Sequence, residues 1–384
     1  MRVAVNVEQL LSRSPGGIGR YTAQLASLLP ALYPNDDLTV FAAWHRRTTL
    51  SGVLSGAGID AAKVSRLPLP RQALYESWVR AGWPPLRWGV PGVGRVDVVH
   101  APSVAVPPRG RVPLVVTVHD AAAGLWPETF SERGREFHRR GLAAAAARAD
   151  VVITVSATAA AEIVADSSIS EARIRVIPNG VSPRSVAPSR QAEVRRRYRL
   201  DGAPYVLWVG SLEPRKGVST LVAAMAELRR RQGGRDGLRL VLAGYPGWQS
   251  EGIIDDGHRR ALGDDFRQVG RVDEEELWSL YAGATIFAFP SRHEGFGLPM
   301  VEAMAAGVPV VASDLPVLRE VSAGAARLVA GGDIDAWADA VGELASDRGQ
   351  RDRLRHAGLA RSAELTAERF VRATRAVYAE VTGA

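Results

Sequence analysis

The chain has 384 residues, more than a single hydrophobic core usually holds, so two domains are expected. Its composition, 46% hydrophobic and 23% charged, is that of a globular protein and argues against a disordered or fibrous chain. The absence of cysteine excludes disulfides and thiolate chemistry.

The net charge of +7 comes mainly from arginine. An anionic membrane surface, a small phosphorylated ligand or a general arginine bias of the proteome would each account for it. Nucleic acid is not an expected partner, because the sequence carries no helix-turn-helix, zinc or RNA-binding motif.

The first seven residues are predicted to form a strand rather than a signal peptide, since Glu8 and Gln9 interrupt the apolar run. We expect a cytoplasmic protein, because no run of about 18 apolar residues occurs. The stretch 75–88 mixes tryptophan with arginine, so peripheral contact with the inner, anionic face of a membrane is a second expectation. The alternative is that Trp78 is buried in a domain core and that Pro84 and Pro85 end the helix.

Strands and helices alternate along the chain, which is the α/β pattern. In the first half, strands are predicted at 2–7, 38–42, 96–100, 114–119, 151–155 and 174–177, and helices at 17–29, 71–81, 131–148 and 157–165. The second half repeats the pattern, with strands at 205–209, 238–243, 266–269, 285–289, 308–312 and 326–328, and helices at 218–231, 274–282, 300–306, 334–345 and 364–380. The turn-rich stretch 178–189 is predicted to be a linker. Two doubly wound parallel-sheet domains facing a cleft are therefore expected.

A glycine-rich segment follows the first strand and opens a helix. Gly16 and Gly17 would let the backbone approach a ligand closely. The spacing is not G-x-G-x-x-G directly after a strand, so it does not favour NAD binding. The alternative is a flexible loop before a helix.

Two histidines are placed at strand ends. His119, followed by Asp120, lies where α/β folds build their sites, and it would act as an acid/base or hydrogen-bond a sugar hydroxyl. His100 would line an acceptor site or serve a structural role in the core.

Two cations, Arg215 and Lys216, arrive where a strand of the second half ends. Guanidinium and ammonium groups placed there would neutralise a diphosphate as its negative charge develops. The alternative is a solvated basic turn.

The most informative segment is 291–302, which places Glu294 and Glu302 eight positions apart around a glycine turn that opens a helix. Pro299 suits the first helical turn, and the free N–H groups of that turn suit a phosphate. One carboxylate would hold sugar hydroxyls and the other ribose hydroxyls. The alternative is two solvated glutamates.

The segment His-Glu-Gly-Phe-Gly-Leu-Pro…Glu-Ala-Met-Ala-Ala-Gly-Val-Pro-Val-Val resembles the E-x7-E signature of the retaining family 4 (group 1) glycosyltransferases, which include mannosyl- and rhamnosyltransferases. The resemblance implies the GT-B fold of two Rossmann-like domains. Residues 1–185, with a terminal helix at about 364–384 crossing back, would bind the acceptor. Residues 200–363 would bind the nucleotide sugar.

The resemblance also implies site residues. The catalytic set would be Glu294, His119, Lys216 and Arg215. Asp120 and His100 would lie on the acceptor side. The donor would be bound by Gly16, Gly17, Ser211, Arg271, Phe296, Gly297, Leu298 and Glu302. The chain departs from the family at Ser211, where many relatives have an arginine that contacts the phosphates.

The reaction expected from the resemblance transfers a hexose from a nucleotide-diphosphate sugar, with GDP-mannose preferred, to a glycan, a lipid-linked or a small-molecule hydroxyl. It would retain the anomeric configuration and use no metal or other cofactor, because no cluster of metal ligands is apparent in the sequence. The alternatives are another GT-B enzyme, such as a nucleotide-sugar 2-epimerase or a glycosyl phosphorylase, and a sugar-nucleotide binding protein without turnover.

Overall fold

The chain folds as two α/β units, each built around one parallel sheet. The computed structural model describes residues 1–12, 15–60, 64–88, 96–233 and 237–383. Ser14, the first residue of the glycine-rich segment 14–21, therefore lies outside the described residues. Unit 1 comprises Met1–Gly180 and Thr366–Ala384, and unit 2 comprises Val181–Leu365. The terminal segment thus belongs to the same unit as the N-terminus.

The sheet of unit 1 has seven parallel strands in the order β3-β2-β1-β4-β5-β6-β7. The strands are β1 Arg2–Asn6, β2 Asp37–Ala42, β3 Val64–Arg66, β4 Val98–Ala101, β5 Leu114–Thr117, β6 Val151–Thr154 and β7 Ile174–Val176. The helices are α1 Gly16–Leu32, α2 Arg47–Leu54, α3 Arg71–Ala81, α4 Ala122–Leu125, α5 Glu132–Arg148, α6 Ala157–Asp166 and the terminal α15 Ala367–Thr382.

The sheet of unit 2 has six parallel strands in the order β10-β9-β8-β11-β12-β13. The strands are β8 Tyr205–Val209, β9 Arg239–Ala243, β10 Phe266–Gly270, β11 Ile286–Phe289, β12 Val310–Ser313 and β13 Arg327–Val329. The helices are α7 Pro188–Arg197, α8 Val218–Arg231, α9 Asp256–Leu262, α10 Glu274–Gly283, α11 Leu298–Ala305, α12 Pro316–Ser322, α13 Ile334–Ser346 and α14 Arg348–Glu364.

Both sheets reverse their strand order at one point. In unit 1 the reversal lies between β1 and β4, and in unit 2 it lies between β8 and β11. Where the order reverses, the connections leave to opposite sides and open a crevice at the carboxyl ends of the strands, which is where doubly wound folds bind ligands. The topology therefore marks one edge of each sheet as the place to look for a site.

The strands of unit 1 alternate their side chains between two cores. Val3 and Val5 pack into one core, while Ala4, between them, packs into the other. Phe370 and Tyr378 of α15 enter the same core as α1. Because α15 buries its apolar face there, the helix belongs to unit 1 although it follows unit 2 in sequence.

Several elements differ from the sequence prediction, among them the helices α2, α4, α9 and α12, which were not predicted. The helix predicted at 364–380 is two helices, α14 and α15, and the hydroxyl of Thr366 between them caps α15 by accepting a hydrogen bond from the Arg369 N–H. The predicted linker runs into α7, which begins at Pro188. The short strand β3 was not predicted.

The tryptophan-rich stretch separates into buried and exposed parts. Trp78 is fully buried in the core of unit 1 and donates its indole N–H to the carbonyl of Pro84. This agrees with the alternative that Trp78 is a core residue and does not contact a membrane. Trp83 is 43% exposed. None of the helices in the described part of the chain is both long and apolar enough to cross a bilayer.

A buried chain of hydrogen bonds ties α15 to the sheet. The two ring nitrogens of His100 lie 2.6 Å from the Tyr378 hydroxyl and 2.8 Å from the Thr117 hydroxyl, which in turn lies 2.8 Å from the Tyr21 hydroxyl. Burial, with a smaller contribution from His119, lowers the pKa of His100 to about 3. The ring is therefore neutral at physiological pH and offers one donor and one acceptor, which the two hydroxyls match.

Replacing Tyr378 by phenylalanine should destabilise unit 1, because it leaves one buried nitrogen of His100 without a partner. We expect a loss of about 1–3 kcal/mol in the free energy of unfolding, measured by urea denaturation. Tyr33→Phe is the matched control, since Tyr33 is half-buried and packs its ring against Arg375 of the same helix. Equal losses in the two variants would contradict a specific role for the hydrogen bond.

Candidate active site

The centre of the candidate site is an ion pair in unit 2. Lys216 follows β8 and Glu294 follows β11, the two neighbouring strands at which the order of the sheet reverses. The Lys216 Nζ lies 2.6 Å from Glu294 Oε1, and the Ser291 hydroxyl donates to the same oxygen at 2.7 Å. Glu294 is only 8% exposed, so the alternative of a solvated loop glutamate is wrong.

The turn after β8 can approach β11 only because residue 217 is glycine. Gly217 has a φ of +64°, and a Cβ there would lie 1.9 Å from the carbonyl oxygen of Pro290. No other residue fits against that carbonyl in this conformation. The close approach of the two loops is what places Lys216 beside Glu294.

Arg215 braces the same pair of loops. Its guanidinium donates to the carbonyl of His293 at 3.0 Å, and its own carbonyl accepts from the N–H of Arg292 at 2.8 Å. A guanidinium nitrogen of Arg215 also lies 3.9 Å from Glu294 Oε2. Another guanidinium nitrogen of Arg215 lies 3.7 Å from Glu213 Oε2, so two cations and two carboxylates meet here and their formal charges balance.

Burial and charge act against each other in this cluster. Burial raises the pKa of Glu294, but the charges of Lys216 and Arg215 and the hydrogen bonds from Lys216 and Ser291 outweigh it, so the pKa lies below the ordinary 4.5. Burial lowers the pKa of Lys216, and repulsion from Arg215 adds to this effect against the attraction of Glu294. The carboxylate is therefore held ionised at neutral pH.

The second glutamate of the motif is also buried. Glu302 lies in α11, is 4% exposed, and accepts a hydrogen bond from the Tyr281 hydroxyl at 3.0 Å. The helix is capped by Gly297 in the left-handed conformation, with a φ of +93°, and carries Pro299 in its first turn as predicted. Phe296 and Leu298 are buried on either side of Gly297.

The other predicted donor residues of unit 2 follow the same sheet edge. Ser211 is half-buried just after β8, on the approach to Lys216. Arg271 is exposed and follows β10, the outermost strand, which is separated from β8 by β9. Arg271 therefore lies at the margin of the edge at whose centre Lys216 and Glu294 meet.

In unit 1 the predicted residues fall into two groups. Gly16 and Gly17 are exposed at the start of α1, and a Cβ at either would meet nothing within 4 Å. His119 follows β5 and is half-buried, with its Nε2 3.0 Å from the carbonyl of Pro102 and its ring edge-on to Tyr21. Burial lowers the pKa of His119, which favours the neutral ring.

Asp120 and His100 differ in what they can reach. The Asp120 carboxylate accepts from the N–H of Ala122 and lines a cavity of unit 1. His100 is fully buried and is held by Tyr378 and Thr117. It has no surface to offer an acceptor directly, so its contacts support the structural role and not the acceptor-side one.

Sequence reasoning missed two polar partners of the motif glutamates. Ser291 is the first residue of the segment 291–302, and its position three residues before Glu294 was the available signal. Tyr281 lies 21 residues before Glu302, and no local pattern marked it. Among the described residues, no group of three or more His, Asp or Glu side chains is arranged to hold a metal ion.

Comparison with known proteins identifies the family. Residues 15–185 match the model "Glycosyltransferase Family 4", and residues 190–361 match the model "Glycosyl transferases group 1". A D-inositol 3-phosphate glycosyltransferase of Acidothermus cellulolyticus is 31% identical over 86% of this chain and 78% of its own length. The chain belongs to the group 1 glycosyltransferases.

Two further comparisons cover more than nine-tenths of the glycosyltransferase chain. The O-antigen chain mannosyltransferase B of Escherichia coli is 29% identical over 92% of this chain and 93% of its own length. The crystal structure of Anabaena HepE in complex with UDP and glucose has a TM-score of 0.74 and 17% identity, and covers 99% of this chain and 100% of that one. The predicted GT-B fold and the prediction of a hexosyltransferase are confirmed.

The lowered pKa of Glu294 gives a prediction about acid stability. The ion pair stabilises the folded glycosyltransferase fully above the unfolded-state pKa of about 4.5, and this stabilisation is lost as the pH falls through the lower folded-state pKa. Glu294→Gln should therefore be less stable than the wild type by about 3 kcal/mol at neutral pH, and the gap should narrow below pH 4.5.

Urea denaturation from pH 7 to pH 3 measures this gap. Glu251→Gln is the control, since Glu251 is exposed and its loss should cost little at any pH. A gap between wild type and Glu294→Gln that stays constant across the series would contradict the ionised state assigned to Glu294.

Proposed function

We propose that this glycosyltransferase moves mannose from GDP-mannose to a hydroxyl acceptor, with retention of the anomeric configuration and without a metal ion. The observation that carries the proposal is the buried cluster of Lys216, Arg215 and Glu294 at the switch point of the unit 2 sheet. It combines two cations with a carboxylate at the edge where doubly wound folds bind nucleotides.

The cations have a task in the departure of the nucleotide. Breaking the glycosidic bond to a nucleotide diphosphate develops negative charge on the leaving phosphate. Lys216 is only 15% exposed in its side chain and Arg215 17%, so their charges act in a partly dry environment. Lys216 and Arg215 would therefore take the part that a divalent cation takes in metal-dependent enzymes, which supports a metal-independent reaction.

Glu294 would change partners during the reaction. In the free protein its carboxylate accepts from Lys216 and from Ser291. When a phosphate draws Lys216 toward itself, Glu294 is left with acceptor capacity for hydroxyl groups of the transferred sugar. Glu302, held by Tyr281, would accept from the ribose hydroxyls in the same way.

His119 and the glycine turn are the residues of unit 1 for which we propose contacts with the substrates. The neutral ring favoured by the lowered pKa of His119 suits a hydrogen bond to a sugar hydroxyl better than it suits a fixed positive charge. Gly16 and Gly17, which present open backbone, suit close contact with the donor phosphates. The stereochemical proposal is a same-face transfer in which acceptor and leaving group share one side of the sugar.

Mannose is preferred because the Escherichia coli relative, aligned over nearly the whole chain, is a mannosyltransferase. The UDP and glucose bound to Anabaena HepE carry less weight, since 17% identity supports the fold alone.

A thermal-shift panel tests the donor and the metal independence together. GDP, UDP, dTDP, ADP and their common sugars are each added with EDTA present. A ligand at 100 times its dissociation constant should stabilise the protein by about 2.7 kcal/mol, and we expect the largest shift from GDP-mannose. A larger shift from another nucleotide sugar would overturn the donor assignment, and a shift that appears only with added Mg²⁺ or Mn²⁺ would overturn the metal-free site.

Lys216→Ala should lower the turnover of the nucleotide sugar by about 100-fold or more, because it removes a cation from the leaving group. The hydrolysis of GDP-mannose in the absence of acceptor measures this directly. Arg319→Ala is the control, since Arg319 lies in unit 2, is 61% exposed and pairs with Asp314. An unchanged rate in a folded Lys216→Ala protein would remove Lys216 from the site.

A further inference from the structure

A cavity of about 830 Å³ lies within unit 1, between α3, α4 and α5. Glu76 and Arg80 of α3 form one wall, and the N-terminal two-thirds of α5 forms the other. We call it the α3–α5 groove. Its volume is in the range of sites that enclose organic ligands, and every lining residue belongs to unit 1.

The charges of the α3–α5 groove balance, although those of unit 1 do not. Unit 1 has 23 Lys and Arg residues against 16 Asp and Glu, so it carries the whole net charge of +7. The groove is lined by five arginines and five carboxylates. The basic unit of the chain therefore contains a large cavity that is lined by many charged side chains whose formal charges cancel.

The opposite charges alternate along the walls. The Glu76 carboxylate lies 3.0 Å from Arg80 and 3.5 Å from Arg133, so it links α3 to α5. On α5, Glu136 lies 2.7 Å from Arg139 and 2.5 Å from Arg140. Each of the two carboxylates is thus flanked by two guanidinium groups that remain partly exposed.

This arrangement disfavours a charged ligand. A phosphate or carboxylate placed in the groove would meet five carboxylates along with the five guanidinium groups, and a cation would meet five guanidinium groups along with the five carboxylates. A hydroxyl group both donates and accepts, so it can bond to a carboxylate and to the neighbouring guanidinium without disturbing the pair. The walls therefore suit a neutral ligand that carries many hydroxyl groups.

The groove also offers the apolar contact that a sugar ring requires. Phe137, half-buried on α5 and stacked on Tyr75 of α3, lines it beside the small side chains Ala123 and Ala143. An aromatic ring packs against the C–H face of a pyranose while the hydroxyl groups at its rim bond to polar side chains. Asp120, which follows His119, lies on the same cavity and connects it to the end of β5.

We propose that the α3–α5 groove binds the acceptor of the transfer and that this acceptor is an uncharged glycan. That an acceptor exists follows from the proposed function, on which this proposal rests. That the acceptor is uncharged follows from the charge balance of the groove. The relatives do not decide the class, since one is named for an O-antigen chain and another for inositol 3-phosphate. The neutral walls favour the glycan.

A substitution that fills the groove without removing a polar contact tests the location. Ala143 is exposed on α5 and lines the groove, so Ala143→Phe adds a ring to the cavity. Ala147→Phe, one helical turn further along α5 and also exposed, adds the same ring outside the lining set and is the matched control. Ala143→Ser keeps the small size and should behave as the wild type.

Binding of α-linked mannotriose to the full chain is followed by saturation-transfer NMR. We expect binding to the wild type, to Ala143→Ser and to Ala147→Phe, and a loss of affinity of about tenfold or more in Ala143→Phe. Inorganic phosphate should not displace the trisaccharide. Unchanged binding in Ala143→Phe, displacement by phosphate, or absence of binding of mannotriose and maltotriose to the wild type would each overturn the proposal.

The hydrolysis of GDP-mannose without acceptor separates this proposal from the proposed function. Ala143→Phe should hydrolyse the donor at the wild-type rate, which also shows that the variant is folded. Absence of hydrolysis in the wild type together with groove-dependent binding of mannotriose would contradict the donor assignment and leave the glycan site standing. Normal hydrolysis of GDP-mannose, together with mannotriose binding that Ala143→Phe leaves unchanged, would contradict the glycan site and leave the donor assignment standing.

Discussion

The candidate site depends on one steric constraint, the contact of Gly217 with the carbonyl of Pro290. It brings the loop after β8 against the loop after β11, and only a residue without Cβ permits the approach. Lys216 and Glu294 are then held 2.6 Å apart at a buried position, where each compensates the desolvation of the other. Arg215 adds a second cation, which lies 3.7 Å from Glu213, so the cluster is internally paired in the protein without ligand.

In unit 1, neutral polar groups attach the C-terminal helix α15 to the sheet. The 185 residues of unit 2 separate this helix in sequence from the rest of unit 1. The helix is fixed to the sheet by an apolar face and by the buried bonds of Tyr378 to His100 and of His100 to Thr117. An imidazole whose pKa is lowered to about 3 stays neutral, so the junction avoids the cost of a buried charge. Tyr21, at the end of the same chain of hydrogen bonds, packs edge-on against His119. The helix therefore supports the wall from which His119 extends.

Much of this architecture could be predicted because local patterns agree with the fold. The apolar, β-branched run at β8 and the helical periodicity of α3 and α8 gave the observed bounds, since buried strands and one-sided helices require those patterns. The strand β3 has only three residues, too few for a period to appear. The helix at the C-terminus was predicted as one because the break at Thr366 depends on a cap and on packing against Gly180, which are tertiary contacts.

For the candidate site, the sequence predicted the positions of the charged residues but not their hydrogen-bond partners. The segments after β8 and β11 placed Lys216 and Glu294 at one sheet edge, with Glu302 in the helix that follows, because the carboxyl ends of parallel strands meet there. These segments could not reveal which polar group holds each carboxylate. The distance in sequence from Tyr281 to Glu302, or from His100 to Tyr378, carries no periodic signal. These partners follow from the packing of side chains in three dimensions. The catalytic and binding roles assigned to all of the predicted site residues stay predictions.

The net charge of the chain is divided unevenly between the two units. Unit 2 has 25 Lys and Arg residues and 25 Asp and Glu residues, so the cations that an anionic ligand would meet there are local side chains, Lys216 and Arg215, and not a net positive charge of the unit. The excess of +7 lies in unit 1. Because the α3–α5 groove is balanced, that excess belongs to the other surfaces of unit 1. Lys and Arg are shared almost evenly, with 23 in unit 1 and 25 in unit 2, so the difference in net charge comes from the carboxylates, of which unit 1 has 16 and unit 2 has 25.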